Sequence, residues 1–364
     1  MAFKNILSNS SGKDSTAMLL LAIERGMEFE SVFADTGNES QEVYDYLDYL
    51  ENNLNIKIRR IKADFTKQLQ RKREKTIPEK WVPEWMRGEK EMVTQNIWHE
   101  DDDSCGEWVT SLVWTGNYIN PMSEAEALDR AAKAIAACEP TGNPFLDLCL
   151  WKGRFPSTKA RFCTDELKTA LMELQVVLPL ASAGHTVISW QGVRADESHQ
   201  RSKLPMTERG EHESLIYRPI LNWKWEDCFA MHKRHGIEPN PLYKRGMNRV
   251  GCMPCINARK SEVAGIAREF PEEIRRISEW EERVSAASKI GKATMFPVRD
   301  AGFPRELHLI DIKQHGINGY VKYAQTARGG KSMDLIEAVN IDEARERREN
   351  GEAPICRSAY GLCE

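Results

Sequence analysis

The sequence predicts an α/β fold: an open, doubly wound parallel sheet with a mainly helical insertion and a C-terminal helical extension that ends in cysteines. Two observations predict it. A short apolar strand, Phe3 to Leu7, runs through Ser8-Asn9-Ser10-Ser11-Gly12-Lys13-Asp14-Ser15-Thr16 into an apolar helix, Ala17 to Ile23. A second apolar run, Glu30 to Ala34, then ends in Asp35-Thr36-Gly37-Asn38-Glu39. Strands alternating with helical patterns build parallel sheets, and ligands of such sheets sit outside the carboxyl ends of the strands.

The first junction carries the chemistry of an anion site. Small hydroxyl residues and a glycine let backbone N–H groups approach an anion, and the helix dipole adds positive potential there. The loop is not of the Walker A type, which needs four residues between the first glycine and Gly-Lys-Ser/Thr. The same residues would also serve as an ordinary helix cap, with Ser11 or Asp14 capping. The second turn sets an acid and a hydroxyl beside the first; Thr36 or Asn38 would equally cap a helix there, with Glu39 in its first turn. Together the turns predict a nucleotide pocket. Ser8, Ser10, Ser11, Gly12, Lys13, Asp14 and Ser15 shape the phosphate loop, and Lys13 contacts the β- or γ-phosphate. Asp35 and Thr36 lie at the adenosine or at a Mg²⁺ bound with the phosphates, since oxygen donors suit magnesium.

Ile56 to Ile61 reads as a third strand by alternation. From about Thr66 to Pro156 the pattern loosens into scattered tryptophans, the acidic run Glu100 to Asp103 and an Ala-rich helix, Glu124 to Ala137. A core-like pattern resumes with a helix from Thr164 to Leu178, a strand from Thr186 to Gln191, another near Leu215 to Ile220 and a helix from Lys224 to His235. Helices near Pro271 to Ser288 and Asp334 to Arg348 close the chain. The expected division is a nucleotide-binding core of residues 1–65 and 157–260, a helical insertion of 66–156, and a C-terminal extension of 261–364 bearing the cysteine tail.

Composition sets the outer limits. A chain of 364 residues, 41% hydrophobic and 29% charged, buries a sizeable core. Its net charge of −4 gives no general reason for nucleic-acid binding, although local basic patches such as Arg71-Lys72-Arg73 exist. No apolar run approaches the length of a membrane span, and Met1 to Lys4 lead straight into a strand rather than a signal peptide. A cytoplasmic protein with no membrane association is expected, and its nine cysteines then point to metal or redox roles rather than disulfides.

A third cluster follows the fourth strand: Gln191-Gly192-Val193-Arg194-Ala195-Asp196-Glu197-Ser198-His199-Gln200-Arg201. Arginine's planar fork suits phosphate or sulfate oxygens, and Glu197 could hold a neighbouring arginine in place. A solvated helix start with ordinary ion pairs is the competing interpretation. The segment resembles the Gly-x-Arg-x-x-Glu-Ser-x-x-Arg pattern of the PAPS reductase family, within the PP-loop ATP pyrophosphatase superfamily. The Ser8–Ser15 loop resembles that superfamily's pyrophosphate-binding loop, and Asp35-Thr36-Gly37-x-Glu39 its matching turn. Arg218-Pro219-Ile220-Leu221-Asn222-Trp223 and Pro241-Leu242-Tyr243-x-x-Gly246-x-x-Arg249-Val250-Gly251-Cys252 resemble the same family, so the likeness runs from about residue 6 to 255. It implies the adenine nucleotide alpha-hydrolase-like version of the sheet, with Gly192, Arg194, Glu197 and Arg201 on the phosphate or adenylate side of the cleft.

Cys252-Met253-Pro254-Cys255 has the spacing that lets both sulfurs reach one metal. Arg161-Phe162-Cys163-Thr164, with Leu167-Lys168, resembles the place where iron–sulfur members of the family supply further ligands. Those members carry two adjacent cysteines there, whereas Phe162 precedes Cys163 here, and the tail offers Cys356 and Cys363 instead. The resemblance implies a four-iron, four-sulfide cluster on Cys163, Cys252 and Cys255, with Cys356 or Cys363 as the fourth ligand. A zinc site of Cys252, Cys255, Cys356 and Cys363 is one alternative, and no metal at all is the other. Cys105, Cys138, Cys149 and Cys228 sit in apolar or helical surroundings and are expected to be buried or incidental.

The family resemblance implies two chemistries. ATP-using members split the α–β bond, release pyrophosphate and adenylate or thiolate a target; reductases act on PAPS or APS with a cysteine near the C-terminus. The Lys13-Asp14 pair favours the first, because a cation beside the phosphates neutralises leaving pyrophosphate. The expected activity is adenylation for sulfur transfer, as in the DNA-phosphorothioation members. The implied partners are a nucleic-acid or protein acceptor and a sulfur-donor protein, in a complex or homo-oligomer. A reductase is the second reading, and a non-catalytic nucleotide-sensing subunit a third.

Overall fold

The computed structural model describes residues 2–100, 106–119, 121–298 and 312–326. Its centre is a six-stranded sheet: β1 (Phe3–Ser8), β2 (Phe29–Asp35), β3 (Ile58–Lys62), β6 (Thr186–Trp190), β7 (Thr207–Arg209) and β8 (Leu215–Tyr217). The spatial order is β3-β2-β1-β6-β8-β7, parallel throughout except for β7 on β8. The expected open, doubly wound sheet is what forms. The chain winds outward from β1 through β2 to β3, then returns to place β6 on the other side of β1. Winding therefore reverses at β1, where a crevice opens outside the strand ends. Register fixes which residues meet there, with Ser8 opposite Val32 and Leu7 opposite Trp190.

Alternation along the strands builds two cores. Leu7 and Phe33 face the larger one, beneath helix α1 (Lys13–Glu24); Ile6, Val32, Ile61 and Val187 face the smaller, against Leu171, Val176 and Val177. Those last three belong to a helical run from Phe162 to Ser182 that covers the expected helix and winds through wider turns at Asp165–Thr169 and Glu173–Val177. Lys13 to Ala22 are buried on every side of α1, so this helix is enclosed rather than amphipathic. Helix α2 (Gln41–Leu54) instead buries one stripe, Val43, Tyr46, Leu47 and Leu50, and ends on Asn55 in the left-handed conformation.

The insertion is mainly helical, as expected, but also holds a hairpin that the sequence reading does not include. Helices do form at Thr66–Arg71, Val82–Arg87, Glu124–Ala137 and Pro144–Lys152. Between them, however, β4 (Glu89–Glu100) and β5 (Gly106–Ile119) pair as a long antiparallel hairpin. The tryptophans at 98, 108 and 114 are strand residues, in keeping with the β preference of aromatic and β-branched side chains. The short edge strand β7 carries too few residues to show a period. The expected helix Asp334 to Arg348 lies outside the described residues, as do Cys105, Cys356 and Cys363.

Candidate functional site

The loop after β1 is shaped by its own small side chains. Ser11 adopts a positive φ of 60°, and its N–H donates to Asn9 Oδ1 at 2.8 Å. Ser10 N–H donates to Ser15 Oγ at 3.1 Å, and the Ser15 hydroxyl donates to the Gly12 carbonyl at 3.1 Å. These bonds hold the loop in a tight arc over the N-terminus of α1.

Behind the arc lies a buried chain of charges. Lys13, Asp14, Arg194 and Glu197 are exposed by only 1%, 2%, 2% and 1%. Lys13 Nζ meets Asp14 Oδ2 at 3.1 Å, while Arg194 Nε lies 2.8 Å from Asp14 Oδ1. Arg194 also meets Asp196 at 3.0 Å and Glu197 at 3.9 Å, and Glu197 is paired with Arg201. Burial pushes the Glu197 carboxyl up to about 7 against the pull of Arg201. The predicted residues of the first and third segments thus converge. Arg194 touches the phosphate loop directly, whereas Arg201 reaches it through Glu197.

Gly192 makes this approach feasible. A Cβ there would stand 3.1 Å from the backbone N and Cα of Ser15, a tight contact that glycine avoids as the turn after β6 packs onto the first turn of α1.

Three residues without an assigned role in the sequence also touch the loop. Tyr243 Oη accepts the Lys13 N–H at 3.0 Å, and His232 Nε2 lies 3.2 Å from the Lys13 carbonyl. Burial lowers the His232 pKa, which favours the neutral ring. Cys228 is buried beside Asp14; burial first, then the Asp14 charge, raises its thiol pKa. Cys228 and His232 stand four apart on the Trp225–Arg234 helix, a spacing that was legible in the sequence as one face.

The turn after β2 is joined to the cysteine segment. Asp35 Oδ1 accepts from the Tyr44 hydroxyl at 2.7 Å and from Gly37 N–H at 2.9 Å. Thr36 donates to Glu39 at 2.7 Å, and Cys252 Sγ lies 3.5 Å from Thr36 Oγ1 and 3.8 Å from Glu39 Oε1. Asn38 clasps the same segment, accepting Met253 N–H at 2.7 Å and donating to the Pro254 carbonyl at 3.1 Å. Burial raises the pKa of the Cys163 thiol, and the charge of nearby Cys255 raises it further. Burial raises Cys252 as well, to about 12, with Glu39 second. Lys168, in the segment matched around Cys163, opposes both shifts. Cys252 thus stands at the second turn, and Cys255 is near enough to Cys163 to act on its thiol. Cys138, Cys149 and Cys228 are buried, as expected.

The chain is similar to known proteins over most of its length. The family model described as phosphoadenosine phosphosulfate reductase domain matches residues 4–258. A protein of Escherichia phage 186, described as an uncharacterized 37.8 kDa protein in the gpa 5' region, is 45% identical over 368 residues, covering 99% of this chain and 96% of that one. The adenosine 5'-phosphosulfate reductase of Burkholderia cepacia is 33% identical over 95 residues, 26% of this chain and 38% of that enzyme. That of Anoxybacillus flavithermus is 29% identical over 85 residues, 23% and 36% respectively, so under half of either reductase is spanned. The crystal structure of phosphoadenylyl-sulfate (PAPS) reductase from Candida auris, a phosphate complex, aligns with a TM-score of 0.36 at 12% identity over 69% of this chain and 82% of that one. That last likeness is too slight to bear on the site. On the family match, which covers most of the chain, this protein belongs to the phosphoadenosine phosphosulfate reductase domain family.

Proposed function

We propose that the chain binds ATP in the crevice at β1, cleaves the α–β bond and transfers the adenylyl group to an acceptor, releasing pyrophosphate. One observation carries this reading: the Lys13–Asp14 pair stands at the phosphate loop and is held there by Arg194. Attack of an acceptor oxygen on the α-phosphorus forms one P–O bond and breaks the bond to the β-phosphate oxygen. The leaving pyrophosphate then carries the charge that a cation and the helix N-terminus stabilise. Asp35 would supply an oxygen to Mg²⁺ travelling with the phosphates. Sulfur transfer to a nucleic acid or protein is the use of the adenylate that we propose, with sulfur delivered by a donor protein.

The Cys252-x-x-Cys255 spacing, with Cys163 in the neighbouring matched segment, supports a thiolate-bound iron–sulfur cluster as part of this reading. When bound, such a cluster would supply a redox-active centre next to the second turn. Cys356 or Cys363 would complete the set, and zinc is the alternative ion. Anaerobically purified protein is expected to be brown, with iron and sulfide in about equal amounts. Colourless protein holding zinc would reject the cluster.

The similarity to adenosine 5'-phosphosulfate reductases supports a second reading, reduction of APS or PAPS. Incubation with ATP, assayed for AMP and pyrophosphate, tests the first; sulfite release from APS or PAPS with a thiol reductant tests the second. Nucleotide binding without either product would identify a sensing subunit.

A further inference from the structure

The loop's internal hydrogen bonds are not all of one kind. Ser10 and Ser11 N–H groups are bound by residues five and two positions away, which gives the loop its shape. The acceptor of Lys13 N–H comes from 230 residues away. Lys13 is the first residue of α1, and such N–H groups have no partner within their helix. At a phosphate-binding helix they are donors aimed at the anion. Here the phenol oxygen of Tyr243 takes that donor.

Tyr243 packs its ring in the core. It is 4% exposed, belongs to the Pro241–Lys244 helix, and meets the Phe229 ring edge-on at 5.8 Å. Lys13 Nζ lies 5.9 Å from the centre of its ring. Its hydroxyl lies 3.6 Å from the position a Cβ on Gly12 would take, so the oxygen faces the glycine of the loop itself.

We propose that the Tyr243 hydroxyl is a built-in substitute for a phosphate oxygen: it accepts the Lys13 N–H and gives it up to an incoming polyphosphate. This rests on the loop being the phosphate site. A buried N–H left unpaired is costly, so the resting loop needs an acceptor. A phosphate oxygen is a better one, since charge-assisted hydrogen bonds are roughly twice as strong as neutral ones. The exchange favours the ligand, yet the phenol taxes its affinity.

The sign of one substitution tests this. Tyr243→Phe keeps the ring and its contacts with Phe229 and Lys13 but removes the competing oxygen. Measured by calorimetry with inorganic pyrophosphate, the variant is expected to bind about threefold to tenfold more tightly. Its melting temperature without ligand should fall, while the gap between free and pyrophosphate-saturated protein widens. Weaker binding would make the phenol a ligand of the phosphate, and an equal loss of stability with and without pyrophosphate would make it purely structural; both overturn the proposal. Wild-type protein that binds neither pyrophosphate nor ATP overturns the phosphate site as well. Should the variant not fold, the wild type labelled with ¹⁵N-lysine still decides. The Lys13 amide resonance should move on adding pyrophosphate, and a Lys13 amide that stays fixed while other lysine amides of the protein respond is against it.

Discussion

Lys13 and Asp14 are charged side chains sealed from water at the head of a helix, a position that is tolerable only because each ion faces an opposite one. Asp14 sits between Lys13 and Arg194, so the carboxylate has two cations, and Arg194 in turn meets Asp196 and Glu197. An incoming polyphosphate would add negative charge beside Lys13. Lys13→Ala is therefore expected to weaken ATP binding by about tenfold or more, as read by calorimetry. Unchanged affinity would remove Lys13 from the phosphate site. Arg194→Lys should also lose activity, because an ammonium cannot reach Asp14, Asp196 and Glu197 from one planar group. Gly192→Ala acts through shape alone. Its new methyl would press on the Ser15 backbone, which cannot step aside like a side chain. The expected cost is about 1–3 kcal/mol in urea unfolding, with weaker nucleotide binding from a displaced loop.

At the scale of elements, the turn after β6 brings Glu197 into the charge chain, and its titration gives a pH test. Burial lifts this carboxyl from 4.5 to about 7. The folded protein then holds the proton more tightly than the unfolded chain, so the stability linked to Glu197 is present below pH 4.5 and is lost as pH rises towards 7. Glu197→Gln should flatten the fall in unfolding free energy across that window; parallel slopes for the two proteins would contradict the assignment. The same elements explain what was legible in the sequence. The turns after β1, β2 and β6 carry their chemistry in consecutive residues, and their hydroxyl, acid and arginine content was readable at once. Tyr243, His232 and Cys228 act on the loop from more than two hundred residues away, so that although Tyr243 lies in a family-like segment and Cys228 and His232 share a helix face, nothing in the sequence ties them to the loop. The hairpin of β4 and β5 was missed because its scattered tryptophans were read as part of a mainly helical insertion, although their β preference was the better guide.

Across the whole molecule, the insertion and the C-terminal extension do not stand apart as their separation in sequence suggests. Trp85 Nε1 and Arg130 both donate to the Lys289 carbonyl, at 2.9 and 2.8 Å, and Arg283 returns bonds to the Ala137 and Glu139 carbonyls. The layer also props the site: Asn143 donates to the Gly37 carbonyl at 2.7 Å, beside the turn that holds Asp35 and Thr36. At its centre Lys72 is 4% exposed, its Nζ donating to Leu150 O at 2.5 Å and Ala287 O at 2.7 Å over the Trp81 ring. Burial lowers its pKa from 10.5 to about 8. A neutral amine still has two protons for two carbonyls, so losing the third costs no hydrogen bond. Between about pH 8 and 10.5 the unfolded chain binds the extra proton and the folded one does not, so stability linked to Lys72 rises with pH in that window. Lys72→Met should abolish the rise and, by leaving both carbonyls unpaired, cost about 2–4 kcal/mol. Urea midpoints of both proteins at pH 8 and pH 10 measure the two effects together. Because the strut joins three segments of the chain, the loss should lower a single cooperative transition; a separate early transition confined to the helical layer would show that the layer folds independently of the sheet it supports.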